Sequence, residues 1–77
     1  MYYMYVLRNL NSEQLYYGYT NNLERRIKEH NKEGLVKLVY YETYLSETDA
    51  RKREKKLKHY GQTRAHLKNR IINSLTA

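Results

Sequence analysis

Glu54 is the residue whose setting most strongly suggests chemistry. It is the only acid between Arg51 and Arg70, a segment that carries nine basic residues. At roughly 100° per residue it lies about 40° from Ala50 and about 60° from Leu57, near the middle of the apolar face of a predicted helix. A carboxylate that faces inward must be paired, hydrogen-bonded or bound to a metal. Glu54 is therefore either half of a structural salt bridge with an arginine, or a metal ligand or electrostatic element beside a phosphate.

Two polar side chains border the apolar face of an earlier predicted helix. Leu23, Ile27 and His30 recur at helical spacing, and Arg26 stands one turn before His30. A single histidine in such a place is more often structural than catalytic. The neighbouring Arg26, together with the tyrosine-rich strands against which the helix would pack, favours a functional pair.

The tyrosines form the third candidate group, because the chain has ten of them and no phenylalanine. Each buried phenol needs water or a hydrogen-bond partner for its hydroxyl. Alternation along a strand places Tyr3 and Tyr5 on one face, and Tyr16 and Gly18 on one face of the next strand. Across a hairpin, Tyr5 and Tyr16 become near neighbours. Gly18 inside a strand indicates the close approach of another backbone, a bulge or a ligand.

The net charge of +7 is concentrated in one segment. Residues 1–50 carry six basic and seven acidic residues, whereas residues 51–70 carry nine basic residues and one acid. A basic stripe of this kind is typical of a polyanion partner, although a solvated helix face is the simpler alternative. The candidate nucleic-acid-binding residues are the basic side chains of the second predicted helix: Arg51, Lys52, Arg53, Lys55, Lys56 and Lys58.

Three strands and three helices are predicted to position these residues. Apolar and tyrosine-rich runs predict strands over residues 2–7, 15–19 and 36–44, the first two joined as a hairpin. Helical spacing and caps predict helices over about 23–34, 46–61 and 63–74. The order ββαβαα gives an α+β domain, a small three-stranded and mostly antiparallel sheet flanked by three helices, as a single domain over residues 1–77.

Several residues define the ends and faces of the predicted helices. Asn21 and Asn22 are good N-caps for the first helix, with Glu24 as the capping-box partner of Asn21. Ser46 is the predicted N-cap of the second helix, which Gly61 would terminate. The third helix would present one apolar stripe made of four residues: Leu67, Ile71, Ile72 and Leu75.

Composition excludes several classes of protein. A chain of 77 residues can form one small core, and without cysteine it has neither disulfides nor a zinc knuckle. No stretch approaches the roughly 18–20 apolar residues of a membrane span, so we expect a soluble, cytoplasmic protein without a membrane partner. No phosphate-binding Walker loop, Ser-His-Asp arrangement or pair of glycosidase carboxylates is present.

Taken in order, these residues resemble the GIY-YIG nuclease domain over nearly the whole chain. The resemblance rests on four fragments: residues 3–5, residues 16–18, residues 23–31 with Arg26 and His30, and residues 50–58 with Glu54. It is closest to short stand-alone members related to the N-terminal domain of the bacterial excision-repair nuclease. Tyr3 and Tyr17 stand where the family's two motifs usually have glycine and isoleucine.

The resemblance implies hydrolysis of nucleic-acid phosphodiesters, with DNA as the substrate and Mg²⁺ or Mn²⁺ as the cofactor. It implies a motif role for Gly18 and catalytic roles for five residues: Tyr5, Tyr16, Arg26, His30 and Glu54. Tyr5 would take a proton from the attacking water, Arg26 would stabilise charge on the phosphate, and Glu54 would hold the metal. A phenol is a poor base at neutral pH, so nearby cations are expected to lower the pKa of Tyr5.

Two departures from the family pattern leave other functions open. The passage from His30 to Val39 is shorter than in many relatives, which carry a basic loop there, and Asn69 is a candidate for an asparagine that larger members place after the glutamate. The leading hypothesis is a metal-dependent endonuclease. The alternatives are a nucleic-acid-binding module of the same fold that does not cleave, and a scaffold whose tyrosines contact another protein. We also expect a protein partner or a homodimer to supply specificity for the nucleic acid, since a small domain buries little surface on it.

Overall fold

The computed structural model describes residues 1–77 and confirms the predicted α+β class and element order. Its elements in chain order are β1 (Tyr2–Asn9), β2 (Leu15–Thr20), α1 (Leu23–Glu33), β3 (Val36–Tyr44), α2 (Glu47–His59), α3 (Gly61–Arg70) and α4 (Ile72–Thr76). No helix has the length and apolar character needed to cross a membrane.

Strand β1 lies at the centre of an antiparallel sheet with the order β2-β1-β3. Because both of its edges are paired and both of its faces are covered, Met4–Leu7 are at most 1% exposed. A bulge interrupts the pairing of β1 with β3 between Val6 and Leu7. Strand β2 has one unpaired edge, and this edge is where the candidate site lies.

Alternation along β1 divides its side chains between two helical layers. Met4 and Val6 enter a hydrophobic cluster completed from β2, α2 and α3 by three residues: Tyr17, Leu57 and Leu67. Tyr5 faces the opposite side of the sheet, where it meets His30 of α1. The sheet is therefore enclosed by α1 on one side and by α2 and α3 on the other.

The N-caps of α1 and α2 agree with the sequence except for one detail. Asn22 caps α1, and its side chain accepts a hydrogen bond from the backbone N–H of Arg25 at 3.1 Å. Since Asn22 rather than Asn21 holds the cap, Glu24 is the second helical residue instead of the third, and the predicted capping box does not form. Ser46 caps α2 as predicted.

The predicted third helix begins earlier and is broken. Gly61 is its first residue, and Tyr60 is the C-cap of α2, so the prediction that Gly61 terminates the second helix is wrong. At Ile71 the backbone leaves the helical conformation, with φ −113° and ψ 23°, and the short helix α4 follows. Leu67 is buried as predicted, but Ile72 is 57% exposed. The predicted apolar stripe is wrong at Ile72 because the break turns this residue away from the sheet.

A half-buried ionic cluster joins β3 to α2. Nε of Arg53 lies 3.0 Å from Oε1 of Glu42, and the hydroxyls of Tyr40 and Tyr44 donate to the same carboxylate. Burial raises the pKa of Glu42, but the hydrogen bonds from Arg53, Tyr44 and Tyr40 outweigh it and hold the pKa below its ordinary value. Arg53, predicted to bind nucleic acid, is thus occupied by a carboxylate of the sheet.

We expect Glu42→Gln to lower the free energy of unfolding by about 2 kcal/mol at neutral pH, because it leaves the Arg53 charge without its partner. A carboxyl whose pKa is lowered on folding contributes stability above its ordinary pKa and loses it as the pH falls through the lowered value. Urea unfolding at pH 7 and at the lowest pH where both proteins fold should therefore show the difference shrinking in acid. A difference independent of pH would contradict this account. Glu24→Gln, which removes an exposed carboxylate, is the control.

Candidate active site

Tyr5 and Gly18 oppose each other as paired residues of β1 and β2. A Cβ atom on Gly18 would lie 2.3 Å from both Cζ and the hydroxyl oxygen of Tyr5. The phenol ring therefore crosses β2 directly over Gly18, and its hydroxyl reaches the edge strand. The predicted close approach at Gly18 is present, but the approaching group is a side chain rather than a backbone or a ligand.

Helix α1 brings Arg26 and His30, one turn apart, onto the hydroxyl of Tyr5. Nε2 of His30 is 3.1 Å from the hydroxyl oxygen, and Nε of Arg26 donates to the same oxygen at 3.4 Å. Nη1 of Arg26 is held 2.9 Å from the carboxylate of Glu29. The two helix residues that the sequence singled out as a pair thus meet at one tyrosine.

Tyr16 forms the open wall of this cluster. Its ring centroid lies 4.8 Å from that of His30 and 6.3 Å from that of Tyr5. Tyr5 is fully buried, whereas Tyr16 is 43% exposed. The predicted proximity of Tyr5 and Tyr16 is confirmed, and the cluster is open to solvent on the side of Tyr16.

Glu54 reaches the same edge of β2 from α2. Its Oε2 lies 3.6 Å from Nζ of Lys58, one turn further along the helix. The same ammonium is 5.6 Å from the ring centroid of Tyr16, so Lys58 links Glu54 to the aromatic wall. Glu54 does form a salt bridge, but its partner is a lysine rather than the arginine that the sequence suggested. Its side chain remains 24% exposed, which leaves the carboxylate accessible from solvent.

Comparison with known families finds a match over most of the chain. The model of the family described as "GIY-YIG catalytic domain" matches residues 1–69. The chain belongs to the GIY-YIG family. The match confirms the resemblance inferred from the four sequence fragments.

Two relatives of this GIY-YIG chain carry the name UPF0213 protein. One, from Clostridium perfringens, is 44% identical over 63 residues, which cover 70% of this chain and 67% of the relative. The other, from Haloquadratum walsbyi, is 37% identical over 67 residues, which cover 75% of this chain and 74% of the relative. No solved structure matches the chain significantly.

The electrostatics of the GIY-YIG site differ from expectation at Tyr5. Burial raises the pKa of Tyr5 and outweighs the lowering by the hydrogen bond from Arg26, while the charge of Glu54 raises it further. The prediction of a lowered pKa is wrong for the protein alone, because the effect of burial on this hydroxyl exceeds that of Arg26. The phenol is protonated at neutral pH, and with Arg26 donating to its oxygen, its hydrogen can be donated to His30. Hydrogen bonding to Tyr5 and Glu29 raises the pKa of Arg26, which stays a cation.

Glu54 is the residue best suited to hold the divalent metal that GIY-YIG proteins typically use. No group of three or more His, Cys, Asp or Glu side chains comes together in the structure. Mg²⁺ is commonly held by one or two carboxylates, with waters and substrate phosphates as its other ligands. One oxygen of Glu54 is occupied by Lys58 and the other is unpaired, so the residue fits a weak site for Mg²⁺ or Mn²⁺ that the substrate completes.

The six basic residues predicted on α2 do not form one surface. Three of them are exposed and line one patch, here called the lysine patch: Lys52, Lys55 and Lys56. The guanidinium of Arg51 lies 5.1 Å from the ring centroid of Tyr19. Arg53 is bound by Glu42, and Lys58 turns toward the active site.

Sequence reasoning missed one member of this site and left another unplaced. Lys58 was assigned only to a basic surface, although its position four residues after Glu54 on a helix is a signal for side-chain contact. Asn69 is exposed on α3 and makes no side-chain hydrogen bond, so the structure does not attach it to the cluster.

Proposed function

We propose that this protein is a metal-dependent endonuclease that hydrolyses phosphodiester bonds in DNA. The observation that supports it best is the convergence of Arg26 and His30 on the hydroxyl of Tyr5, with Glu54 at the same edge of β2. An arginine, a proton acceptor and a metal-binding carboxylate can together stabilise the charge, activate the water and bind the metal in phosphodiester hydrolysis.

Arg26 is placed to stabilise the phosphate as negative charge develops on it. Nε is directed at Tyr5 and Nη1 at Glu29, which leaves Nη2 for a phosphate oxygen. The hydrogen bonds at Tyr5 and Glu29 fix the orientation of the guanidinium before substrate binds. Such preorganised donors stabilise a transition state more than mobile ones do, because they need no reorganisation during the reaction.

Because its pKa is raised, Tyr5 is protonated at neutral pH and can take a proton from water only if it gives its own proton to another group. His30 is the group that receives this proton. The hydroxyl of Tyr5 gives its proton to Nε2 of His30 as it takes a proton from the attacking water, so no free phenolate accumulates at neutral pH. Imidazole is the side chain suited to holding that proton near neutrality. A divalent cation held by Glu54 would supply Lewis-acid stabilisation of the phosphate and of the leaving oxygen.

Nicking of supercoiled plasmid in Mg²⁺ or Mn²⁺ tests this function. We expect nicked product from the parent protein, no product in EDTA, and almost none from Glu54→Gln protein purified identically. The variant excludes a contaminating nuclease as the source of the product. Product that persists at equal rate in the variant would sink the proposal.

A second candidate function is a nucleic-acid-binding module that does not cleave. The observation that favours it is the connection between α1 and β3, which consists of Gly34 and Leu35 alone. Two residues are too few to form the basic loop that many relatives carry in this region. Salt-dependent DNA binding without any metal-dependent product would favour this alternative.

The lysine patch is expected to contribute to DNA affinity under either function. The double variant Lys55→Gln, Lys56→Gln would remove two phosphate contacts. The logarithm of the DNA association constant falls with the logarithm of salt concentration, and the variant should reduce the steepness of this fall by about 2. It should also weaken binding about tenfold at low salt. Fluorescence anisotropy with a labelled duplex measures both quantities. Lys28→Gln with Lys32→Gln removes the same charge from α1 and should change neither; equal effects from both pairs would show only a response to net charge.

A further inference from the structure

A second cavity, outside the candidate active site, opens where the β1–β2 turn meets α3. Its volume of about 560 Å³ lies within the range of roughly 300–1,000 Å³ that is typical of small-molecule sites. Three cationic side chains line it, Arg8 from β1 and Arg64 and Lys68 from α3, against one carboxylate, Glu13. The charged residues of this basic pocket therefore sum to +2.

Tyr17 lines the basic pocket, and its buried hydroxyl has no hydrogen-bond partner. The residue is 8% exposed, and its oxygen is buried without any hydrogen bond. Burial raises the pKa of Tyr17, and the positive charge of Arg64 opposes this rise. The hydroxyl of Tyr17 therefore interacts electrostatically with the guanidinium of Arg64. Phenylalanine would fill the same space without an unpaired donor, which makes the hydroxyl unexplained by packing.

The pocket has donors to spare for an anion. Lys68 makes no ion pair and no side-chain hydrogen bond. Arg64 uses only Nη1, which donates to two backbone carbonyls at the end of α2. Arg8 is less available, because its guanidinium donates to backbone carbonyls in residues 75–77. Three sets of donors therefore have no acceptor within the protein: the ammonium of Lys68, the remaining N–H groups of Arg64 and the hydroxyl of Tyr17.

We propose that the basic pocket binds a phosphate ester. A phosphate group offers several strong acceptor oxygens on one centre, and it matches the fork of an arginine and the point charge of a lysine. Its oxygens would accept from the ammonium of Lys68, and from the hydroxyl of Tyr17 once the ring shifts to bring this buried hydroxyl to the pocket surface. Glu13 supplies the one negative charge among the lining residues, so the pocket keeps a net positive charge for a phosphate group.

The position of the pocket assigns this phosphate to a nucleic-acid strand, an assignment that rests on the proposed nuclease function. Tyr16 and Tyr17 are adjacent on β2 but face opposite sides of the sheet, Tyr16 toward α1 and the active site and Tyr17 toward α3 and the basic pocket. Arg64 donates to the backbone carbonyl of Lys58, whose ammonium lies over the Tyr16 ring. A strand that bends around the edge of β2 from Tyr16 would pass to the face of α3, where the pocket would hold a phosphate other than the scissile one.

The first arm of the test uses inorganic phosphate and a nucleoside monophosphate, followed by backbone-amide NMR shifts. Both ligands should shift residues 14–17 and 64–68 of the parent, and Tyr17→Phe and Lys68→Gln should each weaken binding about three- to tenfold. Lys32→Gln, a charge control on α1, should bind like the parent. Thermal unfolding should show Tyr17→Phe at least as stable as the parent, which separates lost binding from lost structure. Absence of shifts, or equal affinity in parent and Tyr17→Phe, overturns the pocket.

The second arm uses a short single-stranded DNA at several salt concentrations. Lys68→Gln should lower the slope of log K against log salt by about 0.7, and Lys32→Gln should leave it unchanged. Weakened phosphate binding with an unchanged slope overturns the assignment to a strand. Pocket variants that behave like the parent in both arms, while the parent still nicks plasmid in Mg²⁺, overturn the pocket and leave the nuclease function intact.

Discussion

Replacing Glu54 by glutamine is expected to reduce metal-dependent DNA cleavage about a thousand-fold, with little change in stability. A metal ion supplies several kcal/mol of charge stabilisation, and each 1.4 kcal/mol corresponds to about a factor of ten in rate. Glutamine keeps the size of the side chain but loses the negative charge that a hard cation requires. The salt bridge to Lys58 is partly exposed, so its loss should cost less than about 1 kcal/mol of unfolding free energy. Initial rates of plasmid nicking measure the effect.

The matched control is Glu24→Gln. Glu24 and Lys28 on α1 form an ion pair with the same i,i+4 spacing and the same 3.6 Å separation as Glu54 and Lys58 on α2. Removing the control pair should leave cleavage unchanged. Mn²⁺ titration followed by water-proton relaxation adds a reading that does not depend on turnover, and it should show weakened binding in Glu54→Gln alone. Undiminished Mn²⁺ binding in that variant would remove Glu54 as the metal ligand.

Gly18→Ala is expected to damage both the fold and the active site. The added Cβ would stand 2.3 Å from the phenol of Tyr5, which is fully buried and has no free space to enter. Overpacking of this kind costs about 2 kcal/mol of stability. Any shift that relieves it pulls the hydroxyl away from Arg26 and His30, and a displacement of about 1 Å at a reacting group costs roughly a hundredfold in rate.

Gly34→Ala is the control for this substitution. A Cβ at Gly34 meets no atom within 4 Å, and the backbone there is extended, so any residue fits. Urea unfolding should show a change within about 0.5 kcal/mol for Gly34→Ala and a large loss for Gly18→Ala. Nicking is then compared at a temperature where all three proteins are folded. Parent-like stability in Gly18→Ala would mean that the ring of Tyr5 does not lie over Gly18.

Much of the fold could be predicted because it depends on residues close together in sequence. The strands follow from runs of apolar and tyrosine residues, and Ser46 and Asn22 act as helix caps through bonds to residues three positions away. The break at Ile71 was not predictable in the same way. A continuous helix and a helix with a break satisfy the same local spacing, and contacts with the sheet decide between them.

The candidate site was also predictable only where it depends on local sequence. Family motifs identified Tyr5, Arg26 and Glu54 as candidates, and the apolar face of α2 predicted that Glu54 faces inward, where the structure leaves it partly exposed. The sequence did not show that Lys58 joins Glu54 to the aromatic wall, or that Arg53 is taken up by Glu42. Basic side chains on one helix look alike in sequence, because their roles depend on partners contributed by other elements.

The amino-acid sequence by itself determined the family, the order of the elements and the residues that could do chemistry. Only the tertiary structure decided that the ring of Tyr5 crosses Gly18, that its pKa rises instead of falling, and that the hydroxyl of Tyr17 is left without a partner. Periodicity and motif spacing are local properties of the chain. Burial and the approach of charges are set by residues that are distant in sequence and meet only after folding.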